Sequence, residues 1–242
     1  MNHFYYKIPG WFGFHDVYDR AVALLGRDGA HFVEVGSWLG RSAAYMGVNL
    51  VNSGCNARFD CVDSWEDRPR EFDVMGDRLT LTAGAPVING RTVYDKFCDN
   101  MAPLAGKIDF CSVRKRSVDA ATEYEDGSLD FVFLDASHEM QDIYDDISAW
   151  KPKLKPSRGV LAGDDAPWLG VRMALLKHGM GTGMNPLAMS AGSYKSWIYA
   201  PVQSRGDWTT LPNATIDIAA HEGSIMAAQE HMRENLGITE HV

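Results

Sequence analysis

Residues 31–42 read HFVEVGSWLGRS: a short apolar strand carrying one carboxylate, then a glycine turn, then the start of a helix. Gly36 and Gly40 allow the backbone to turn sharply and to approach a ligand closely. The free amides at the start of the helix would be donors to an anionic group of that ligand. The Glu34 carboxylate would repel a phosphate but suits a cationic ammonium group. This stretch therefore predicts a cofactor site between a strand and a helix.

The same alternation of apolar runs and helical spacing extends outward from this stretch, from residue 30 to residue 200. Alternation of this kind is typical of an α/β fold, a doubly wound and mostly parallel sheet with helices on both faces. We predict strands at 31–35, 58–62, 108–112, 130–134, 159–162 and 194–199. The predicted helices are 41–51, 93–101, 118–124, 141–150 and 171–178.

Three segments lie outside the alternation. Apolar residues recur at helical spacing from Val17 to Leu25 and from Ile225 to Leu236, which predicts one helix before the first strand and one near the end of the chain. The connection 64–92 is too long for a turn, and long ordered connections often bind ligands. We expect one domain over 1–242, with 64–92 as a lid or acceptor-binding insertion and 213–242 as a C-terminal helical extension. A homo-oligomer is a hypothesis that such a helix and insertion would suit.

Composition narrows the class of protein. The 242 residues carry a formal net charge of −9, which argues against a nucleic-acid backbone as the main partner, although Arg114, Lys115 and Arg116 form one basic cluster. No apolar run is long enough to cross a bilayer, so we expect no membrane partner. The four cysteines show no metal or redox spacing, which is consistent with free thiols in a reducing compartment. We therefore predict a cytoplasmic protein.

The second predicted strand adds an acidic residue at its carboxyl end. Asp63 follows Gly40 by 23 positions, where an acidic side chain can accept hydrogen bonds from both ribose hydroxyls of a nucleoside. The dinucleotide fingerprint needs a further glycine in its Gly-x-Gly-x-x-Gly frame, and this chain has Trp38 there. A nicotinamide cofactor is therefore disfavoured, but it stays an alternative.

The fourth and fifth main strands end in chemically active side chains. Asp135 ends one strand, with His138 three residues later, and Asp164 and Asp165 end the next. Carboxyl ends of parallel strands share one edge, so three carboxylates converge there and favour a hard cation such as Mg²⁺. A cation lowers the pKa of a hydroxyl group, and His138 is placed to act as the base that removes its proton. Trp65, Tyr94 and Trp168 are candidates to stack on an acceptor ring or sugar.

Two motifs, Glu34-Val-Gly-Ser-Trp-Leu-Gly-Arg-Ser42 and Val62-Asp-Ser-Trp65, resemble the first two motifs of class I S-adenosylmethionine methyltransferases. The resemblance implies a seven-stranded Rossmann-like sheet with S-adenosylmethionine as cofactor. It implies that the methionine end is held by the first motif, the ribose by Asp63 and the adenine near Ser117. The cofactor-binding residues it implies are Glu34, Gly36, Ser37, Gly40, Ser42, Asp63, Ser64, Trp65, Ser117 and Asp135.

A second resemblance covers roughly Phe32 to Ala174. Asp-Ala-Ser-His (135–138) and Gly-Asp-Asp (163–165) resemble the sugar O-methyltransferase family that acts on macrocin and mycinamicin. It implies Mg²⁺ held by Asp135, Asp164 and Asp165, with His138 as catalytic base and Asp135 beside it. Catechol O-methyltransferase is a more distant relative, with lysine at the histidine position. The chain departs from the family at Met140, at Ala166 and in the turn 157–159, which leaves the acceptor unidentified.

We therefore expect an S-adenosylmethionine-dependent O-methyltransferase that acts on a hydroxyl of a small molecule or sugar with a divalent cation. Three alternatives stay open. One is a metal-independent methyltransferase acting on nitrogen or RNA, and another is a nicotinamide-dependent oxidoreductase. The last is a binding module that keeps the cofactor fold without turnover.

Overall fold

The apolar runs of the sequence form the strands of a seven-stranded sheet in the computed structural model of the chain. The structure describes residues 1–66, 72–74, 77–82, 85–88, 91–180, 188–189, 196–201 and 207–208. The strands are β1 (His31–Val35), β2 (Arg58–Asp63), β3 (Phe72–Val74), β4 (Asp77–Thr82), β5 (Ala85–Ile88), β6 (Arg91–Thr92), β7 (Asp109–Arg114), β8 (Phe131–Leu134), β9 (Val160–Gly163), β10 (Ala188–Met189) and β11 (Trp197–Tyr199). The α-helices are α1 (His15–Leu25), α2 (Arg41–Ser53), α3 (Val93–Met101), α4 (Ser117–Ala121), α5 (Met140–Trp150) and α6 (Leu169–Lys177).

The main sheet has the strand order β10-β11-β9-β8-β1-β2-β7. The five strands from β9 to β7 are parallel, whereas β11 pairs antiparallel with β9 and β10 antiparallel with β11. The predicted fold class and the predicted seven strands are therefore confirmed. Because β1 lies between β8 and β2, the glycine turn after β1 is flanked by the ends of both neighbours, and β9 lies next to β8.

Both faces of the sheet are buried, since side chains of alternate residues enter two separate cores. Phe32, Phe131 and Phe133 point into the core that contains residues of α1, α2 and α3. Val33 and Val132 point into the core on the opposite face, which contains residues of α4, α5 and α6. Strands buried on both faces read as continuous apolar runs, which is why these strands were recognisable in the sequence.

The helices match the predicted ones within a few residues, with one exception. The helix predicted from Val17 to Leu25 is α1, and α3 has the predicted bounds. The exception is α4, which ends at Ala121, whereas the prediction continued to Tyr124. None of the helices in the described ranges has both the length and the apolar character needed to span a bilayer. The terminal helix predicted from Ile225 to Leu236, and the extension 213–242, lie outside the described residues.

The connection 64–92 contains structure that the sequence analysis did not predict. Its strands β3 to β6 form a separate four-stranded antiparallel sheet with sequential order. The sheet leads directly into α3, whose first residue follows Thr92. Short strands separated by glycine-containing pairs of residues resemble loop sequence, because glycine is typical of turns. The role of this segment as a lid or acceptor-binding insertion stays a prediction.

Candidate active site

The glycine turn after β1 lies directly against the end of β8. Gly36 has φ 93° and Gly40 has φ 86°, both in the left-handed region that favours glycine. A Cβ atom at Gly36 would overlap the backbone carbonyl of Asp135. Between the two glycines Trp38 also has a left-handed backbone, with φ 42°. Residues 36–40, called the cofactor loop below, therefore touch the segment that carries the predicted catalytic residues.

Glu34 lies beneath the cofactor loop and is only 1% exposed. One carboxylate oxygen, Oε2, accepts a hydrogen bond of 2.6 Å from the hydroxyl of Tyr18. Burial raises the pKa of Glu34 to about 7, although Tyr18, Ser37 and Ser42 beside it act in the opposite direction. Glu34 Oε1 and Ser37 Oγ are buried without a regular hydrogen bond to the described residues. Buried acceptors of this kind fit the ammonium group of an amino-acid moiety.

Asp63 at the end of β2 is held by two backbone amides. Trp38 N donates to Oδ2 at 2.9 Å, and Trp65 N donates to Oδ1 at 2.8 Å. Burial raises the pKa of Asp63, while these amides and that of Ser64 lower it. A carboxylate accepts about four hydrogen bonds, so each Asp63 oxygen retains capacity for a ribose hydroxyl. The pair of amides orients the carboxylate without saturating it.

The other predicted cofactor residues lie in different surroundings. Ser64 caps its own turn by accepting from the amide of Glu66 at 3.2 Å. Trp65 is buried and packs on Tyr94 with 4.9 Å between ring centroids. The hydroxyl of Ser117, at the start of α4, accepts from Trp150 Nε1 at 2.9 Å. Ser64 and Ser117 therefore already take part in hydrogen bonds within the fold, and their contacts with a cofactor stay a prediction.

Three side chains meet at the carboxyl edge of β8 and β9. Ligand atoms of Asp135, His138 and Asp165 lie within 4.8 Å of one another. His138 Nε2 and Asp165 Oδ2 are 2.6 Å apart, within hydrogen-bond distance. Asp164, the third predicted ligand, is not part of this group, and its Oδ1 accepts from Ser196 Oγ at 2.9 Å. The structure therefore brings Asp135 and Asp165 together with His138, whereas Asp164 lies outside this group and still raises the pKa of Asp135.

Negative charge dominates this edge. Burial raises the pKa of Asp135 well above its usual range, and Asp164, Asp165 and Glu34 raise it further. The hydrogen bond from His138 to Asp165 raises the pKa of the imidazole, although burial opposes the shift. A buried carboxyl group with other carboxylates nearby is stabilised in its ionised form by a cation. The two carboxylates fit a divalent metal ion, and the imidazole of His138 lies beside them.

Trp168 borders the group on its exposed side. Its indole stacks on the His138 ring, with 4.9 Å between centroids and 26° between planes. A Cβ atom at Gly170 would overlap the carbonyl of His138, so the start of α6 packs tightly against the backbone of His138. Trp168 is 38% exposed, whereas Trp65 is buried and the Tyr94 hydroxyl lies 3.0 Å from Ser112 Oγ. Of the three aromatic residues predicted to stack on an acceptor, Trp168 is the one that stacks on a side chain of this group.

Two contacts of the site were not found from the sequence. Tyr18 reaches Glu34 from a helix that precedes β1, and Trp11 stacks on Trp38 with 5.7 Å between centroids and 20° between planes. Both residues belong to the aromatic-rich first eighteen positions. That enrichment is visible in the sequence, but the aromatic residues there have no spacing that identifies a partner.

Comparison with known structures agrees with this fold. A structure from Corynebacterium glutamicum superposes with a TM-score of 0.51, at 12% identity over 81% of this chain and 83% of that one. A Staphylococcus aureus protein assigned as a caffeoyl-CoA O-methyltransferase superposes with a TM-score of 0.52, at 10% identity over 81% of this chain and 87% of that one. At such identities the similarity concerns the fold alone. No curated protein sequence matches.

A family model described as a methyltransferase domain matches residues 33–166. The match extends from Val33, within β1, to Ala166, the residue that follows Asp165, and it covers more than half of the chain. It therefore contains the cofactor loop, Asp63 and the group of Asp135, His138 and Asp165, called the acidic edge below. The chain belongs to this family of methyltransferase domains.

Proposed function

We propose that the protein transfers the methyl group of S-adenosylmethionine to a hydroxyl of a small molecule or sugar, with a divalent cation at the acidic edge. The observation that carries the proposal is the convergence of Asp135, His138 and Asp165 within 4.8 Å, on a segment whose backbone touches Gly36 of the cofactor loop. The methyl donor and the acceptor must meet in line. The contact supports the proposal because it joins the loop proposed to bind the donor, called the donor half-site below, to the segment proposed to bind the acceptor, called the acceptor half-site.

The donor half-site is built from the first two strand ends. S-adenosylmethionine supplies a methyl group on a sulfonium, which an oxygen nucleophile can attack. Glu34 and Ser37 would supply buried acceptors for its ammonium group, and the amides at the start of α2 would donate to its carboxylate. Asp63, oriented by two amides, would accept from the ribose hydroxyls. These roles also fit the family match, for which S-adenosylmethionine is the expected donor.

The acceptor half-site is built from the ends of β8 and β9. Asp135 and Asp165 would hold the cation, with Asp164 close enough to add its charge. A divalent cation in such a site lowers the pKa of an acceptor hydroxyl. His138 takes the hydroxyl proton, and Asp165 fixes the orientation of its imidazole through the 2.6 Å contact. Trp168 provides an exposed aromatic surface beside the imidazole for a ring of the acceptor.

Calorimetric titration with S-adenosylhomocysteine and with MgCl₂ tests both half-sites without knowledge of the acceptor. We expect Asp63→Ala to lose affinity for S-adenosylhomocysteine and Asp165→Ala to lose affinity for Mg²⁺. Asp126→Asn is the matched control, because Asp126 is a surface carboxylate 2.7 Å from Lys153 Nζ, and it should titrate like the wild type. Wild-type protein that binds no S-adenosylhomocysteine would overturn the donor, and Mg²⁺ binding unchanged in Asp165→Ala would overturn the metal site.

A metal-independent methyltransferase is the second candidate. The observation that favours it is the hydrogen bond between His138 and Asp165, which forms a histidine–carboxylate pair that needs no cation to orient it. Binding of S-adenosylhomocysteine without any Mg²⁺ binding would favour this candidate. The family match supports a methyl donor over the nicotinamide alternative, because it covers the whole cofactor loop.

A further inference from the structure

The segment before α1 lies along α2, the helix that begins at the cofactor loop. Arg41, the first residue of α2, donates from Nη1 to the carbonyl of Gly10 at 2.9 Å and to that of Ile8 at 3.3 Å. One turn further along, Tyr45 stacks on His3, with 4.5 Å between ring centroids and 18° between planes. Residues 8–11, called the N-terminal strap below, are therefore bonded to the first residue of the helix that follows the cofactor loop.

The strap covers Trp38 in the middle of the cofactor loop. Trp11 stacks on Trp38, and a Cβ atom at Gly10 would lie 3.2 Å from Trp38 Cζ3. Gly10 has φ 132°, which L side chains rarely adopt, so glycine allows the strap to approach the indole. Trp11 itself is 72% exposed, and burial in the core therefore does not explain its position.

The backbone of Trp38 connects the strap to the donor half-site. Its amide is one of the two that orient Asp63, and its carbonyl accepts from Trp65 Nε1 at 2.7 Å. A non-glycine residue with φ 42° is strained and persists only where neighbouring contacts hold it. The stack with Trp11 is the contact that reaches the Trp38 ring from the solvent side. Loosening that stack would remove one of the contacts that hold the Trp38 backbone in this conformation.

We infer that the N-terminal strap holds the cofactor loop in its binding conformation, with Trp11 as a positioning residue for the methyl donor. The inference rests on the proposed binding of S-adenosylmethionine at this loop. Arg41 fixes the path of the strap, Trp11 fixes the Trp38 indole, and the Trp38 amide fixes the Asp63 carboxylate. Each step is a direct contact, so the effect of Trp11 on the donor passes through two residues.

Calorimetry with S-adenosylhomocysteine on full-length variants tests the inference. We expect Trp11→Ala to raise the Kd by about 3- to 10-fold, the range of a lost aromatic pair. Trp11→Phe keeps a ring to stack and should restore the Kd to within about twofold of wild type. The thermal midpoint of Trp11→Ala should equal that of the wild type, because the side chain is mostly exposed.

Tyr6→Ala is the matched control. Tyr6 is an aromatic residue of the same segment, 61% exposed, and its ring contacts Tyr5 and lies near Lys7. Its removal should leave the Kd unchanged. An unchanged Kd in Trp11→Ala, or an equal rise in Tyr6→Ala, would overturn the role of the strap while the donor assignment stands. Wild-type protein without affinity for S-adenosylhomocysteine would overturn both.

Discussion

Gly36 is excluded from carrying a side chain for two independent reasons, its φ of 93° and the carbonyl of Asp135 that a Cβ atom would overlap. Gly54, the C-cap of α2, has a similar φ of 73° but open space around it. Substitutions at the two glycines therefore distinguish the free-energy cost of a left-handed backbone from the additional cost of the overlap with Asp135.

We predict that Gly54→Ala lowers the free energy of unfolding by about 1 kcal/mol, the cost of a left-handed alanine. Gly36→Ala should lower it by at least about 3 kcal/mol, since the loop must also move away from Asp135. Urea unfolding of the two variants measures both values. Equal losses would show that the cofactor loop and the catalytic segment are not in the tight contact described.

Glu34 makes stability depend on pH in a direction opposite to that of a salt-bridged acid. Its pKa rises from 4.5 in the unfolded chain to about 7 in the fold, so the folded state holds the proton more tightly. Stability is therefore lost as pH rises from 4.5 through 7 and is flat above that. Between pH 5 and pH 8 the apo protein should lose about 2 kcal/mol through this residue.

Glu34→Gln removes the titration but keeps an oxygen that can accept from Tyr18. The difference in unfolding free energy between wild type and Glu34→Gln, measured by urea at pH 5 and pH 8, isolates the Glu34 contribution. The wild type should show the steeper loss toward pH 8. Parallel pH profiles for the two proteins would contradict the raised pKa.

At the scale of elements, the edge of the main sheet where the parallel strands begin contains a buried carboxylate bonded to several cationic side chains. Asp130, fully buried before β8, is bonded to the side chains of Arg27, Lys155 and Arg158 and to the amide of His31. These cations lower its pKa against the opposing effect of burial. The carboxylate thus joins the start of β1 to the turn that leads into β9.

We predict that Asp130→Asn lowers the free energy of unfolding by about 3 kcal/mol, because breaking one buried carboxylate leaves several cations without their partner. Asp126→Asn, at an exposed ion pair with Lys153, should change it by less than about 0.5 kcal/mol. Because the pKa of Asp130 is lowered, its contribution is present at neutral pH and disappears as pH falls below 3.8, its unfolded value. Guanidinium unfolding at pH 7 compares the two variants. Similar losses in the free energy of unfolding would contradict the stabilising role of the Asp130 ion pairs.

Elements whose own residues mark their bounds, as a helix cap does, could be predicted from the sequence. Elements without such residues could not. The bounds of α3 were predicted correctly; its start is marked by Thr92 and Asp95, whose side chains cap each other's backbone amides. The sheet of β3 to β6 was missed, because its short strands are interrupted by turn residues. The shortening of α4 was missed as well, since Thr122 and Tyr124 continue a helical pattern after the helix has ended.

At the scale of the molecule, the carboxylates at the two edges of the main sheet have different partners. Carboxylates at the starting edge are bonded to cationic side chains, whereas Asp135 and Asp165 at the opposite edge meet only one imidazole among the described side chains of their group. A bound dication would remove that repulsion and stabilise the folded state by mass action.

We predict that MgCl₂ at about 100 times its Kd raises the thermal midpoint of the wild type by about 5 to 10 °C, relative to NaCl of equal ionic strength. Asp165→Asn should show no rise, and Asp126→Asn should show the wild-type rise. Differential scanning calorimetry gives the three midpoints. A rise of equal size in Asp165→Asn would contradict specific binding at this edge.

The fold and the identity of the edge residues were accessible from sequence because strand ends of a parallel sheet meet by necessity. Contacts between distant segments were not. Nothing local indicates that Tyr18 reaches Glu34, that Trp11 covers Trp38, or that Asp164 bonds to Ser196. These contacts depend on how separate elements pack, which a periodic pattern does not encode.

The position of β11 has a practical consequence for anyone who trims this chain for expression or crystallisation. The family match ends at residue 166, yet β11 fills the place beside β9, and Ser196 just before it bonds to Asp164. Trp197 is fully buried against Gly163. A shortened version that stops at the matched region would leave β9 as an open edge and invite self-association through it. Useful truncations therefore have to retain the chain at least through Tyr199.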